Sequence, residues 1–227
     1  MSQFSVIIPA LNEEASIQAC VQRVRKLDTS LEIIVVDGGS QDQTAKIATS
    51  TGAWVIQTDS GRGTQCNAGA NLAAGDILLF LHADTRLPEQ AFSVLEQAFE
   101  DPTVQVGTFR LAFDDPHWLL KVYAHFSRYD TILTRFGDQG ITVRKNFFLK
   151  SGGFPDWPLF EDLAFLRLAR RQTRIVSFPA TVMTSSRRYR KYGIVRQQVR
   201  NLWYIILFLS GVSPRHIALK YNALNKK

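Results

Sequence analysis

The sequence predicts an α/β fold in which a mixed, mostly parallel sheet is sandwiched by helices. Three observations predict it. Short apolar runs, rich in β-branched and aromatic residues, recur between helical patterns. Those runs are nearly continuous rather than alternating, as in strands covered on both faces. Strand and helix then follow each other one for one through the first hundred residues, which requires parallel strands joined by helical crossovers. At 227 residues, with 45% hydrophobic and 21% charged residues, the chain has an ordinary globular composition.

The elements follow in order. Phe4–Ile8 is the first strand; Asn12 is placed to cap a helix in which Ile17, Cys20, Val21, Val24 and Leu27 keep helical spacing. Strands are expected at Glu32–Val36, Trp54–Gln57 and Asp76–Leu81, with helices at Thr44–Thr51, Thr64–Ala74 and Glu89–Glu100. After Glu100 the rhythm changes. Val106–Phe113 reads as a longer strand, Trp118–Phe136 as an aromatic-rich helix and Ile141–Arg144 as a short strand. A Gly- and Pro-bearing loop over 152–158 precedes a helix at Glu161–Arg171, and Arg174–Phe178 reads as the last strand. Residues 1–186 form the expected domain, and 187–227 a basic, partly apolar helical extension. The extension holds eight consecutive apolar residues, Leu202–Leu209, well short of the ~20 that span a bilayer.

The net charge of +7 conceals an asymmetry. Residues 1–162 hold all 20 acidic residues and 13 Lys and Arg, whereas 163–227 hold 14 Lys and Arg and no carboxylate side chain. A basic end suits an anionic partner: a nucleotide phosphate, a phospholipid surface or a nucleic acid. Nucleic acid is disfavoured, because no nucleic-acid-binding motif is present. The N-terminus has no basic segment ahead of a long apolar run, and Cys20 and Cys66 have neither disulfide-framework nor metal-ligand spacing. The expectation is a cytoplasmic protein, with its tail on the inner membrane face, on a partner subunit of a homo-oligomer, or against its own core.

Ligands of such sheets bind at the carboxyl ends of the strands. The first strand ends in Pro9-Ala10-Leu11-Asn12-Glu13-Glu14, where a dinucleotide fold would have a glycine-rich turn. Two carboxylates there suit a helix dipole but repel phosphate, which disfavours a nicotinamide or flavin cofactor. The second strand ends in Asp37-Gly38-Gly39-Ser40, with Asp37 placed to accept from a ribose or base and Asp42 placed to cap the next helix. Gly61-Arg62-Gly63 opens a helix and offers amides and a guanidinium to an anion. The fourth strand runs into His82-Ala83-Asp84, and strand periodicity sends His82 and Asp84 to one side, where they suit a divalent cation completed by phosphate oxygens. The alternative is that Asp84 caps the turn before Pro88.

Pro-Ala-Leu-Asn-Glu-Glu, Val-Val-Asp-Gly-Gly-Ser, Gly-Arg-Gly, Leu-His-Ala-Asp-Thr and Phe-Glu-Asp, in this order from residue 4 to about 190, resemble the family 2 glycosyltransferases, whose fold is called GT-A. The short length and the Ser-Ser-Arg-Arg-Tyr segment are most similar to a compact bacterial subgroup associated with radical-SAM, selenodomain or arsenosugar pathways. The resemblance implies an inverting hexosyltransferase that takes its sugar from a UDP- or GDP-type donor and passes it to an unknown acceptor. It implies that Pro9, Ala10, Asn12 and Glu13 line the nucleoside, that Asp37 binds the base, and that Arg62 lies near base or diphosphate. Asp84 matches the last Asp of the family's Asp-x-Asp metal motif, with His82 in place of the first, for Mn2+ or Mg2+. Asp162 matches the catalytic base, with Glu161 beside it, and Arg187, Arg188 and Tyr189 fall where relatives steady the leaving diphosphate. Phe154 and Trp157 offer aromatic faces for an acceptor, and Gly137-Asp138-Gln139-Gly140 either shapes the acceptor pocket or forms a tight turn.

Two rival readings are a nucleotidyltransferase, which Glu13-Glu14 argues against, and a non-catalytic membrane-surface or nucleic-acid-binding module using the basic tail.

Overall fold

A computed structural model describes residues 3–132 and 134–225. Strands β1 (Phe4–Ala10), β2 (Glu32–Asp37), β3 (Trp54–Gln57) and β4 (Ile77–Phe80) are mutually parallel, in the order β3-β2-β1-β4. The sheet continues through β7 (Ile141–Arg144), β6 (Val106–Phe113), β8 (Ile175–Thr184) and β5 (Thr85–Arg86). In this half only β6 and β8 are parallel; the pairings of β7 with β4 and β6, and of β5 with β8, are antiparallel. The sheet is therefore mixed, with the parallel part at the N-terminal side, as the sequence rhythm implies.

Both faces are covered, which explains the unbroken apolar runs. Val6 and Ile8 face a core completed by α1 (Ile17–Leu27) and α4 (Ala91–Glu100), through residues such as Val21, Val24, Leu95 and Phe99. Ile7, Ile34 and Val36 face the other core, completed by α3 (Arg62–Leu72) and α7 (Glu161–Ala169), through Cys66, Ala70, Phe165 and Leu166. Helices α2 (Thr44–Ser50) and α6 (Lys145–Lys150) are short connectors. Cys20 and Cys66 are free and buried.

Several boundaries differ from the sequence expectation. Asn12 does not cap α1: it has φ 54°, and its side-chain oxygen accepts from Gln41 N–H at 2.9 Å. Ser16 precedes the helix instead, so Asn12 ties two loops together. Helix α5 (Trp118–Phe126) stops ten residues before Phe136. There the buried Ser127 hydroxyl accepts from Leu111 N–H of β6 at 2.9 Å, and buried Arg135 pairs with Asp130 at 3.1 Å, which pulls the following chain into a loop. Strand β8 runs past Pro179 to Thr184 because the register against β6 shifts between Thr108 and Arg110, opposite the proline.

The extension is helical: α8 (Arg187–Tyr192), α9 (Ile194–Leu209) and α10 (Pro214–Asn225). It folds back on the body. Tyr189 packs edge-on against Phe113, α9 packs against α5, and Arg190 pairs with Asp114 at 2.8 Å. Among the described residues no helix is long and apolar enough to cross a membrane.

Candidate functional site

The site forms where β1 and β4 part. β4 pairs with β1 only as far as Ile7, while β2 follows β1 to Ala10, so the Pro9 end of β1 borders an open crevice. Proline suits that place, because an amide there would have no strand to bond. Gln65 of α3 holds the crevice floor, donating to Ala10 O at 2.8 Å and Val36 O at 2.7 Å.

On the β2 side, Asp37 is fully buried. Its Oδ2 accepts from Gly39 N–H at 3.2 Å and Ser40 N–H at 3.0 Å, while Oδ1 is buried without a protein partner. A buried carboxylate oxygen left open needs an outside donor. Asp42 accepts from Thr44 N–H at 2.9 Å in the turn leading into α2, but the N-cap position is Gln43, so Asp42 shapes the turn ahead of the helix rather than occupying its cap.

On the β4 side, one pocket gathers Pro9, Arg62, His82, Gly137, Glu161 and Asp162, residues from five separate segments. Glu161, almost fully buried, pairs with Arg62 Nη1 at 3.3 Å; the arginine side chain is 40% exposed. Desolvation pushes the Glu161 carboxyl up, Arg62 opposes this, and Asp162 adds to it. Desolvation works against the Arg62 charge, yet Glu161 and Asp162 hold its pKa above the ordinary value. Asp162 is fixed at both oxygens: Gly137 N–H donates to Oδ2 at 2.6 Å and Leu163 N–H to Oδ1 at 2.7 Å. Each oxygen keeps a lone pair for another donor. A side chain on Gly137 would meet Asp162 Oδ2 at 3.0 Å and His82 Nε2 at 3.2 Å, so His82 and Asp162 flank one point.

His82 and Asp84 are not held together by strand alternation. β4 ends at Phe80, and residues 82–85 form a turn closed by Thr85 N–H to His82 O at 3.0 Å. His82 faces Gly137 and Asp162; burial, with the charges of Arg62 and Arg188, keeps its imidazole neutral well below the usual pKa. Burial raises the Asp84 carboxyl, Glu13 raises it further, and Arg188 and Arg187 partly offset both. Asp138, in the short turn Gly137–Gln139, is pushed up to about 7 by burial and by the charges of Asp162 and Asp84; its Oδ1 is buried and unpartnered.

Among the described residues no three His, Cys, Asp or Glu side chains cluster as a metal cage. The donors still fit a divalent cation bound mainly by substrate phosphates, which asks the protein for only one or two carboxylates. Asp84 is a carboxylate that could supply one, with the Glu13 carboxylate and the Arg187 and Arg188 charges around it.

The extension reaches the same region. Arg187 pairs with Glu13 at 3.2 Å, and Arg188 donates to the Tyr221 hydroxyl at 3.1 Å while its charge is felt at His82 and Asp84. Tyr189 is buried away from the pocket, with its hydroxyl donating to Gln198 at 3.3 Å. Asn12, with its side-chain oxygen and its N–H committed to the Ser40–Gln41 loop, positions the crevice rim. Phe154 presents no open face; it packs with Phe80, Phe148 and Phe165 and borders the pocket from inside. Trp157 is half-buried and edge-on to Phe208 of α9, at 6.0 Å. Phe160, part of the Phe-Glu-Asp motif but given no role of its own by the sequence, stacks on the same ring at 4.9 Å, one residue before Glu161. The Gly137 amide was equally hidden, because a backbone donor leaves no residue-type signal.

The profile described as "Glycosyl transferase family 2" matches residues 5–172. A 4,4'-diaponeurosporenoate glycosyltransferase of Staphylococcus haemolyticus is 31% identical over 147 residues, covering 61% of this chain and 39% of that protein. The chain spans about two fifths of the length of the curated relatives it matches. Among solved structures, S. aureus TarS 1-349 in complex with UDP superposes with a TM-score of 0.68 at 20% identity, over 81% of this chain and 60% of that one. Mannosyltransferase PcManGT from Pyrobaculum calidifontis, in complex with GDP-Man and Mn2+, superposes with a TM-score of 0.62 at 21% identity, over 80% and 56%. These likenesses are of fold, and they agree with the family match. The chain belongs to glycosyl transferase family 2, and its mixed eight-stranded sheet is the GT-A fold.

Proposed function

We propose that the chain transfers a sugar from a nucleoside-diphosphate donor to an acceptor hydroxyl with inversion, in a single displacement. One observation carries the reading: Asp162, fixed at both oxygens, shares a pocket with Arg62 and His82 at the crevice where β1 and β4 part. Family membership and neighbours bound to UDP, or to GDP-Man with Mn2+, support a nucleotide-sugar donor.

In this mechanism Asp37 receives the base through its open Oδ1, with Pro9 and Ala10 along the nucleoside and Glu13 at the rim. Asp162 accepts the proton of the acceptor hydroxyl as its oxygen attacks the anomeric carbon, since a hydroxyl is a poor nucleophile unaided. Glu161 holds Arg62 in the pocket rather than acting as a second base. A nucleophilic carboxylate is not required for a single displacement, in contrast to retaining hydrolysis. Arg62, Arg187 and Arg188 meet the charge that develops on the diphosphate. A divalent cation, Mn2+ or Mg2+, held by Asp84 with His82 nearby, supplies further charge stabilisation when bound. Trp157 is the aromatic surface proposed for the acceptor.

The test is thermal denaturation with UDP, GDP, dTDP and CDP, with and without Mn2+. At ~100 times Kd a ligand adds about 2.7 kcal/mol, or roughly 5–10 °C at this chain length. A metal-dependent shift for one nucleotide, abolished in Asp84→Ala, is expected and names the base. The absence of any shift overturns the donor site.

A further inference from the structure

Helix α9 is apolar on two opposite sides. One side is docked: Tyr204 and Ile205 are buried, and Phe208 touches Phe160 and Trp157 of the loop leading to Asp162. At 100° per residue, Val195, Val199, Leu202, Trp203 and Ile206 fall on the opposite side, and all five are exposed, Val199 by 63% and Trp203 by 57%. The neighbouring helix α5 adds Trp118, Val122 and Phe126, spaced four apart and also exposed. Apolar residues grouped on the exposed sides of two neighbouring helices mark an interaction site.

The charge beside it selects the partner. Arg196 on α9, Lys121 on α5 and Arg128 in the turn just after α5 are exposed and have no carboxylate partner among the described residues. No Asp or Glu occurs anywhere in 163–227. A second copy docking face to face would set this basic surface against itself, because a two-fold contact brings like patches together. An anionic lipid surface supplies the opposite charge and an apolar layer in which Trp203 and Trp118 can insert. At 16 residues, about 24 Å, α9 is too short to span a ~30 Å hydrocarbon core but long enough to lie along its boundary. We infer that α9, with α5 beside it, docks the protein on an anionic bilayer surface. The inference does not rest on the donor-site reading.

The test is co-sedimentation of the full chain with phosphatidylcholine vesicles containing 30% phosphatidylglycerol, against phosphatidylcholine alone. Binding is expected only to the anionic vesicles, weakened by high salt. It should fall about tenfold or more in Val199→Glu/Trp203→Glu and severalfold in Lys121→Glu/Arg196→Glu, which changes charge without touching the apolar stripe. Thermal midpoints of both variants establish that they fold. Absence of sedimentation with anionic vesicles, or sedimentation that the stripe variant leaves unchanged, overturns the inference. So does a dimer broken by Val199→Glu/Trp203→Glu in a protein that ignores vesicles, which would make a second copy the occupant.

Discussion

Gly137 donates its backbone N–H to Asp162 Oδ2 at 2.6 Å, across 25 residues of sequence, and a side chain of its own would fit only tightly, with neighbours at 3.0–3.3 Å. A Cβ there would press on Asp162 and His82 together. Gly137→Ala should therefore displace the proposed base by a fraction of an ångström while leaving the nucleotide side of the crevice intact. Displacements of about 1 Å cost roughly 100-fold in rate. The expectation is a fall in kcat of roughly 10- to 100-fold with nucleotide Kd nearly unchanged, measured by single-turnover kinetics and calorimetry. An unchanged kcat would remove Gly137 from the positioning of Asp162.

Asp162→Asn separates the proton-accepting role from the structural one. The amide oxygen can still accept from Gly137 N–H and the Arg62–Glu161 pair is untouched, while the local contact from Leu163 N–H to Oδ1 is given up. Loss of a general base typically removes 10²- to 10⁴-fold in rate. Transfer should drop by about that factor while UDP or GDP binding and the thermal midpoint persist. Retained transfer would move the base elsewhere, with Glu161 and Asp138, both in charge contact with Asp162, as the alternative carboxylates.

Asp37→Asn tests the open oxygen on the other side of the crevice. An asparagine can keep its oxygen toward the Gly39 and Ser40 amides, which turns an NH2 to the place of the unpartnered Oδ1. A donor then faces the donor group of the base. Hydrogen bonds to charged groups are worth about 1.5–3 kcal/mol, so nucleotide affinity should weaken about 10- to 100-fold. The free protein should be no less stable, because the buried charge it loses had an unsatisfied oxygen. Equal affinity in wild type and variant would exclude Asp37 from base recognition.

What the sequence made legible follows its periodicity. β1, β2 and β4 hold nearly continuous apolar runs bounded by turn residues, so their places and parallel pairing could be read directly. The motif residues at their ends were legible for the same reason, since strand ends are where the crevice opens. The rest depends on long-range contact. β8 passes Pro179 only because β6 shifts register opposite it. α5 ends early because Ser127 is drawn to Leu111 N–H of a distant strand. His82 and Asp84 read as one face of a strand, yet the strand stops at Phe80 and a turn separates their surroundings. The Leu202–Leu209 run signals burial, and burial holds for Tyr204 and Ile205, but the exposed side of α9 emerges only once its docked side is known.

Asp138 predicts a pH dependence of stability. Its carboxyl is raised from 3.8 to about 7, first by burial and then by Asp162 and Asp84. Between those values the folded state binds more protons than the unfolded state, so stability falls as pH rises from about 4 through about 7. A shift of this size corresponds to about 4 kcal/mol at most, or roughly 10 °C in Tm. Asp138→Asn removes the carboxyl that opposes ionisation, so its Tm should stay level from pH 5 to 8 relative to wild type, with the difference between the two curves widening as pH rises. Differential scanning calorimetry at half-unit steps, without added metal, measures that difference directly. Parallel curves would mean that Asp138 keeps an ordinary carboxylate pKa, and the electrostatic grouping of the three aspartates around the pocket would have to be withdrawn.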